Sequence, residues 1–192
     1  MADILVACEV SGIVRDAFIR RGHNAVSVDI SPSDSAFGPH IQGDALEAIH
    51  SHNWDMLIAF PPCQHISVSG ARYWADKARD GRQQAALDFV KQIMDAPVNK
   101  ICIENPVGKI STAIRRPSQI IQPWWFGEDA SKKTCLWLTN LPPLMATNII
   151  KKDRYANQTP SGQNKLGPSP DRAKKRAMTY VGVAEAMATQ WG

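Results

Sequence analysis

Short apolar runs alternate with segments of helical period from the first residues onward. Residues 3–8, Asp-Ile-Leu-Val-Ala-Cys, are apolar nearly throughout and predict a buried parallel strand. Ser11-Gly12 supplies a turn. Ile13 to Arg21 then predicts a helix, with Val14, Ala17 and Phe18 at helical spacing and Gly22 as its stop. Residues 25–30 and 55–60 read as further strands, the second ending at Pro61-Pro62. Between them lie a Ser/Pro/Gly-rich loop over 31–39 and a short helix opening at Gly43-Asp44-Ala45-Leu46. A polar loop runs to about Gly81. Ala85 to Met94 predicts an amphipathic helix, with Leu87, Val90 and Met94 on one face. Strands are expected over 100–104, 134–138 and 146–150, and a closing helix over 183–191. Residues 153–172 carry no period.

Strands alternating with helices imply an α/β fold with a doubly wound, mostly parallel sheet. Function in such sheets collects at the carboxyl ends of the strands. Four strand ends here carry polar or special residues: Cys8-Glu9, Asp29, Phe60-Pro61-Pro62-Cys63 and Glu104-Asn105-Pro106. They mark one candidate edge.

Length and composition narrow the picture without changing it. The 192 residues suffice for one domain with a sizeable core. Hydrophobic residues at 44% and charged residues at 21% describe an ordinary globular protein. No apolar run reaches the roughly 20 residues that span a bilayer, and Met1 to Val6 lacks the pattern of a signal peptide. The expected location is cytoplasmic, with no membrane partner; a phage-infected host is one such setting. The four cysteines, Cys8, Cys63, Cys102 and Cys135, form no close pair, so neither a metal site nor a disulfide framework is expected. The net charge of +4 permits nucleic-acid binding. Eight basic residues lie between Lys151 and Arg176, opposed only by Asp153 and Asp171, and they are either a phosphate-holding patch or a solvated loop.

The turn Ala7-Cys8-Glu9-Val10-Ser11-Gly12 lies between a strand and a helix and offers backbone N–H groups to a ligand. It lacks the glycine spacing that binds a dinucleotide pyrophosphate. S-adenosylmethionine, which has no pyrophosphate, fits it better. Asp29, followed by Ile30, stands about 20 residues on, where a doubly wound fold places an acid on ribose hydroxyls. Asp44, followed by Ala45, is either an acceptor for an adenine amino group or the cap of the next helix.

The central stretch is Phe60-Pro61-Pro62-Cys63-Gln64-His65-Ile66-Ser67-Val68-Ser69-Gly70. Two prolines fix the chain as it leaves the strand and present Cys63 at the edge. Glu104 leaves the next strand at the same edge. A thiol and a carboxyl are what addition to a cytosine ring needs. Attack at C6 builds electron density on the ring, and a carboxyl at N3 stabilises it. C5 then accepts a methyl group from a sulfonium donor.

At these residues the chain resembles the C5-cytosine DNA methyltransferase family, and more narrowly its short, phage-type members. Pro-Pro-Cys-Gln with its Ser-x-Ser-Gly tail resembles the family's catalytic loop, and Glu104-Asn105 its Glu-Asn-Val signature, with Pro106 in place of Val. The resemblance implies a Rossmann-like class I methyltransferase fold and catalysis by Cys63 and Glu104. It implies S-adenosyl-L-methionine held by Ala7, Cys8, Glu9, Ser11, Gly12, Asp29, Ile30, Asp44, Ala45, Phe60 and Pro61. It implies substrate contacts from Pro62, Gln64, Ser67, Ser69, Asn105, Lys133 and Thr134, and a return of Thr179-Tyr180-Val181-Gly182 to the donor pocket. The expected partner is DNA or a free cytosine nucleotide such as dCMP. A non-catalytic nucleic-acid- or donor-binding protein is the third reading. Cys8-Glu9 departs from the family's aromatic-x-Gly turn. Its Gln-x-Arg-x-Arg element is not evident, Ser131-Lys132-Lys133-Thr134 being the nearest candidate. The stretch between Leu138 and Thr179 is too short for the family's recognition region. Trp124-Trp125-Phe126 reads as core packing ahead of base stacking. Arg72, Tyr73 and Trp74 read as candidate contacts to a nucleic-acid backbone.

Overall fold

The computed structural model describes residues 1–192 except Pro168, Pro170 and Asp171. Asp171, one of the two acids of the basic segment, therefore lies outside the described residues. Seven strands form one sheet: β1 (Asp3–Ala7), β2 (Asn24–Asp29), β3 (His40–Gln42), β4 (Met56–Ala59), β5 (Lys100–Pro106), β6 (Gln119–Ile121) and β7 (Thr134–Thr139). Their order is β3-β2-β1-β4-β5-β7-β6. Neighbours from β3 to β5 pair in parallel, and β7 runs antiparallel to both β5 and β6. The sheet is doubly wound, and its order reverses between β1 and β4. The crevice beyond the carboxyl ends of those two strands is where such sheets bind ligands.

Alternation along the strands divides the core into two layers. Ile4, Val6, Ile58 and Cys102 face one side, with Val14 and Phe18 of α1 (Ile13–Arg20) and Met187 and Trp191 of α7 (Val181–Trp191). Leu5, Ala7, Leu57 and Ile103 face the other. There they meet Ile49 of α2 (Ala45–His50) and Val90 and Ile93 of α4 (Arg82–Met94). Each large apolar side chain buried this way stabilises the fold by roughly 1.5–3 kcal/mol. Both sheet faces are covered, which explains why the strands read as continuous apolar runs.

The polar segment after Cys63 is not one loop. It contains a 3-10 turn over Val68–Tyr73 and α3 (Trp74–Arg79). Helix α4 starts three residues before the expected Ala85, where the Asp80 carboxylate accepts the Arg82 backbone N–H at 3.1 Å. Two further short helices, α5 (Ile110–Ala113) and α6 (Arg172–Ala177), complete the set. The expected strand over 146–150 does not form. Asn148 makes an isolated bridge with Phe126, and the N–H groups of Thr147 and Asn148 donate to the Trp125 carbonyl. Ile149 of this stretch and Met145 just before it are exposed, so neither fills the core. Phe126 is buried as expected, and Trp124 stacks on Tyr155 with centroids 6.0 Å apart. No described helix is long and apolar enough to cross a membrane.

Candidate active site

Asn105 fixes the Pro-Pro-Cys loop. It is buried on β5, and its Nδ2 donates to the Pro61 carbonyl at 2.7 Å. The Phe60 N–H donates to the Ala7 carbonyl at 2.9 Å, which ties the end of β4 to the end of β1. Beyond Cys63 the chain turns tightly, with the N–H groups of Ile66 and Ser67 both donating to the Cys63 carbonyl. It then pairs with the segment after β5. The Val68 N–H donates to Val107 and the Lys109 N–H to Ile66. Gly108 allows this approach, because a Cβ there would lie 2.2 Å from the Ile66 carbonyl oxygen. The loop is thus held from both sides by the strand that carries Glu104.

Cys63 is half-buried, and burial pushes its thiol above the ordinary cysteine range. The negative charge of Glu104 pushes it further, while Lys132 and Arg176 pull it down. Lys132 Nζ lies 3.7 Å from Glu104 Oε1. Glu104, Lys132 and Thr134 line a small recess together with Thr179 and Tyr180. The strand end that delivers Lys132 is the amino end of β7, which arrives at this edge because β7 is antiparallel.

A larger cleft of about 550 Å³ opens over Cys63. That lies within the roughly 300–1,000 Å³ typical of small-molecule sites. Its floor brings together Cys8, Glu9, Ser11, Asp29 and Phe60 with Pro62, Cys63 and Gln64. Cys8 adopts a left-handed backbone with φ 58°, an uncommon conformation for a residue with a Cβ. Burial and the charges of Asp29 and Asp44 push its thiol up to about 12. Glu9 is only 4% exposed. Its carboxylate accepts the N–H groups of Val14 at 2.7 Å and Arg15 at 3.2 Å, filling the first turn of α1. Burial pushes Glu9 up to about 7 against those two donors.

Other predicted residues stand further back. Gly12 begins α1 with φ 70°, and a Cβ there would lie 2.4 Å from the Arg15 guanidinium. Ala7, Ala45 and Pro61 are buried and act through the backbone or the core. Ile30 is 79% exposed. Asp44 caps α2, accepting from Leu46 N–H at 2.7 Å and Glu47 N–H at 3.2 Å. Ser67 and Ser69 bond each other through their hydroxyls at 2.9 Å. Lys133 is exposed, whereas its neighbour Lys132 faces Glu104.

Two walls of the cleft go beyond the site residues expected from the sequence, apart from Lys174 of the basic segment and the return of Thr179. One is the loop from Ser31 to Asp34, shaped by Arg15, which is fully buried. Its guanidinium donates to Asp16, to Ser27 Oγ at 2.9 Å and to the carbonyls of Ser35 and Pro39. The other wall comprises Lys174, Ala177, Met178 and Thr179. Lys174 Nζ donates to Asp34 Oδ1 at 2.6 Å, joining the walls across the mouth.

Among solved structures, one described as a DNA modification methyltransferase encoded within an E. coli prophage has this architecture. It matches with a TM-score of 0.51 and 15% identity, over 78% of this chain and 52% of that one. The chain has a methyltransferase fold. A mutant of Spodoptera frugiperda DNMT2 also matches, with a TM-score of 0.42 and 18% identity over 79% of this chain and 55% of that one. The chain spans about half the length of both. No family model matches the sequence, and no curated protein matches it significantly. The cleft lies beyond the carboxyl ends of β1 and β4, where sheets of this kind bind ligands, with Asp29 and the apolar Phe60 in its lining.

Proposed function

We propose that this chain methylates carbon 5 of cytosine in DNA, with Cys63 as nucleophile. The observation that supports this best is that one cleft is lined by Cys8, Asp29 and Cys63, with Glu104 close enough to act on the thiol. S-adenosylmethionine supplies an electrophilic methyl group when bound. Cys8, Glu9, Ser11, Asp29 and Phe60 hold it in this reading, with the Ser31–Asp34 loop closing one side.

Cys63 gives its proton to the Glu104 carboxylate and its sulfur bonds to C6 of the ring. Electron density moves to C5 and N3, where Glu104, now carrying that proton, donates a hydrogen bond. Lys132 balances the carboxyl as its charge changes. After C5 has gained the methyl group, a water molecule takes the C5 proton, the electron pair of that C–H bond re-forms the C5–C6 double bond, the C6–sulfur bond breaks and the thiolate is restored. Asn105 holds the loop so that the sulfur keeps its place through both bond changes.

The test is an oligonucleotide with 5-fluorocytosine at one position, offered with donor. Fluorine cannot leave C5 as a cation, so the adduct persists. A covalent complex that maps to Cys63 and is absent in Cys63→Ala is the expected result. Undiminished methyl transfer by Cys63→Ala would overturn the mechanism.

A further inference from the structure

Directly after the Cys63 loop the chain gathers flat rings and unneutralised cations. The Arg72 guanidinium carbon lies 4.5 Å from the Tyr73 ring centroid, and Lys77 Nζ lies 5.8 Å from it. Lys109 Nζ lies 4.7 Å from the Trp74 ring centroid. The acids of this stretch are taken up elsewhere, Asp76 by Arg79 and Asp80 by Arg82. Arg72, Lys77 and Lys109 make no ion pair among the described residues. Tyr73 is 46% exposed.

This patch is fastened to the loop that presents the nucleophile. Lys77 Nζ donates to the Gln64 carbonyl at 2.5 Å, one residue from Cys63. The Lys109 N–H donates to the Ile66 carbonyl at 2.8 Å. Whatever lies on the patch therefore lies beside whatever Cys63 attacks.

We infer that Tyr73 and Trp74, with Arg72, Lys77 and Lys109, form a stacking platform for a single-stranded nucleic-acid segment flanking the target cytosine. The inference rests on the proposed function and specifies its substrate. A base stacking on an aromatic ring needs its own face free, as it is in a single strand and is not inside a duplex. A cation displaced from the ring by the base remains within reach of the adjoining phosphate. Both halves of a nucleotide are thus met, without any reading of base edges. A free mononucleotide attacked by Cys63 leaves the platform unused.

The experiment measures anisotropy of a labelled single-stranded oligonucleotide, its duplex and labelled dCMP on the full chain without donor. Single strand is expected to bind most tightly. Tyr73→Ala weakens it roughly ten-fold, and Tyr73→Phe, which keeps the ring, restores it. Lys77→Gln and Lys109→Gln each reduce the salt slope by about 0.7. Circular dichroism establishes that each variant is folded. Preference for the duplex, or single-strand binding indifferent to Tyr73→Ala, would overturn the platform. The same variants are then tested with the 5-fluorocytosine strand and donor. Trapping on Cys63 with Tyr73-independent binding rejects the platform alone. Tyr73-dependent binding with no trapping on any substrate rejects the transfer reaction and leaves the platform standing.

Discussion

The side-chain amide of Asn105 holds the backbone carbonyl of Pro61, 44 residues earlier, at 2.7 Å inside the protein. The bond links the strand bearing Glu104 to the turn bearing Cys63. Asn105→Ala removes the link and leaves the Pro61 carbonyl buried without a partner. Stability should fall by about 1–3 kcal/mol. The rate of adduct formation should fall further, because a displacement of about 1 Å at a reacting atom can cost 100-fold. Thermal melting and single-turnover trapping measure the two effects separately. An unchanged trapping rate would mean the loop keeps its place unaided.

The charges around Cys63 predict opposite shifts in its reactivity. Glu104→Gln removes the charge that raises the thiol, so alkylation by iodoacetamide should set in at lower pH. Lys132→Gln removes a charge that lowers it, so alkylation should set in at higher pH. Peptide mapping should find Cys63 labelled first. Cys102 and Cys135 are buried, and the Cys8 thiol is pushed up to about 12.

Glu9 predicts a pH-dependent stability. Its pKa is about 7 in the fold against an ordinary 4.5. A carboxyl raised on folding contributes stability fully present below pH 4.5 and lost as pH rises through 7. Wild-type stability to urea should therefore decline across that window by about 3 kcal/mol. Glu9→Gln has no proton to lose and should show a flatter profile there. Parallel profiles would place the Glu9 pKa near its unfolded value.

The Lys174–Asp34 pair joins the two cleft walls, yet both side chains are near half exposed. Such a pair contributes under about 1 kcal/mol to stability. Asp34→Asn should therefore barely move the melting temperature. It should still speed release of S-adenosylhomocysteine several-fold in stopped-flow, since the tie crosses the mouth. Slower or unchanged release would show that the walls stay closed without it.

Much of this was legible in the sequence because strands buried on both faces are apolar throughout. β1, β2, β4, β5 and β7 fall where those runs lie; Cys8 and Asp29 stand at the ends of β1 and β2, Cys63 follows β4, and Glu104 lies in the last residues of β5, which runs two residues further than expected. β3 and β6 have three residues each, too few to display a period. The stretch 146–150 misled because its Thr147 and Asn148 N–H groups go to the Trp125 carbonyl rather than to a strand, and its Ile149 is exposed. The cleft walls were hidden for another reason. The Ser31–Asp34 loop is shaped by Arg15, a charged residue on a helix that pattern alone assigns to the surface. Lys174 reads as one cation among eight until the fold sets it opposite Asp34. Gly108, two residues past the end of β5, reads as an ordinary loop glycine until the fold sets the Ile66 carbonyl beside it.

Reversal of β7 has an engineering consequence. In an all-parallel sheet only the loops that follow strands reach the active edge, and lengthening them disturbs residues that terminate the strands. Here the chain also enters β7 from that edge, through Gly127 to Lys133. A target-reading module grafted at exposed Lys133 would sit over Glu104 while the ends of β1, β4 and β5 stayed intact. The antiparallel strand gives this compact scaffold a port for acquired sequence selectivity.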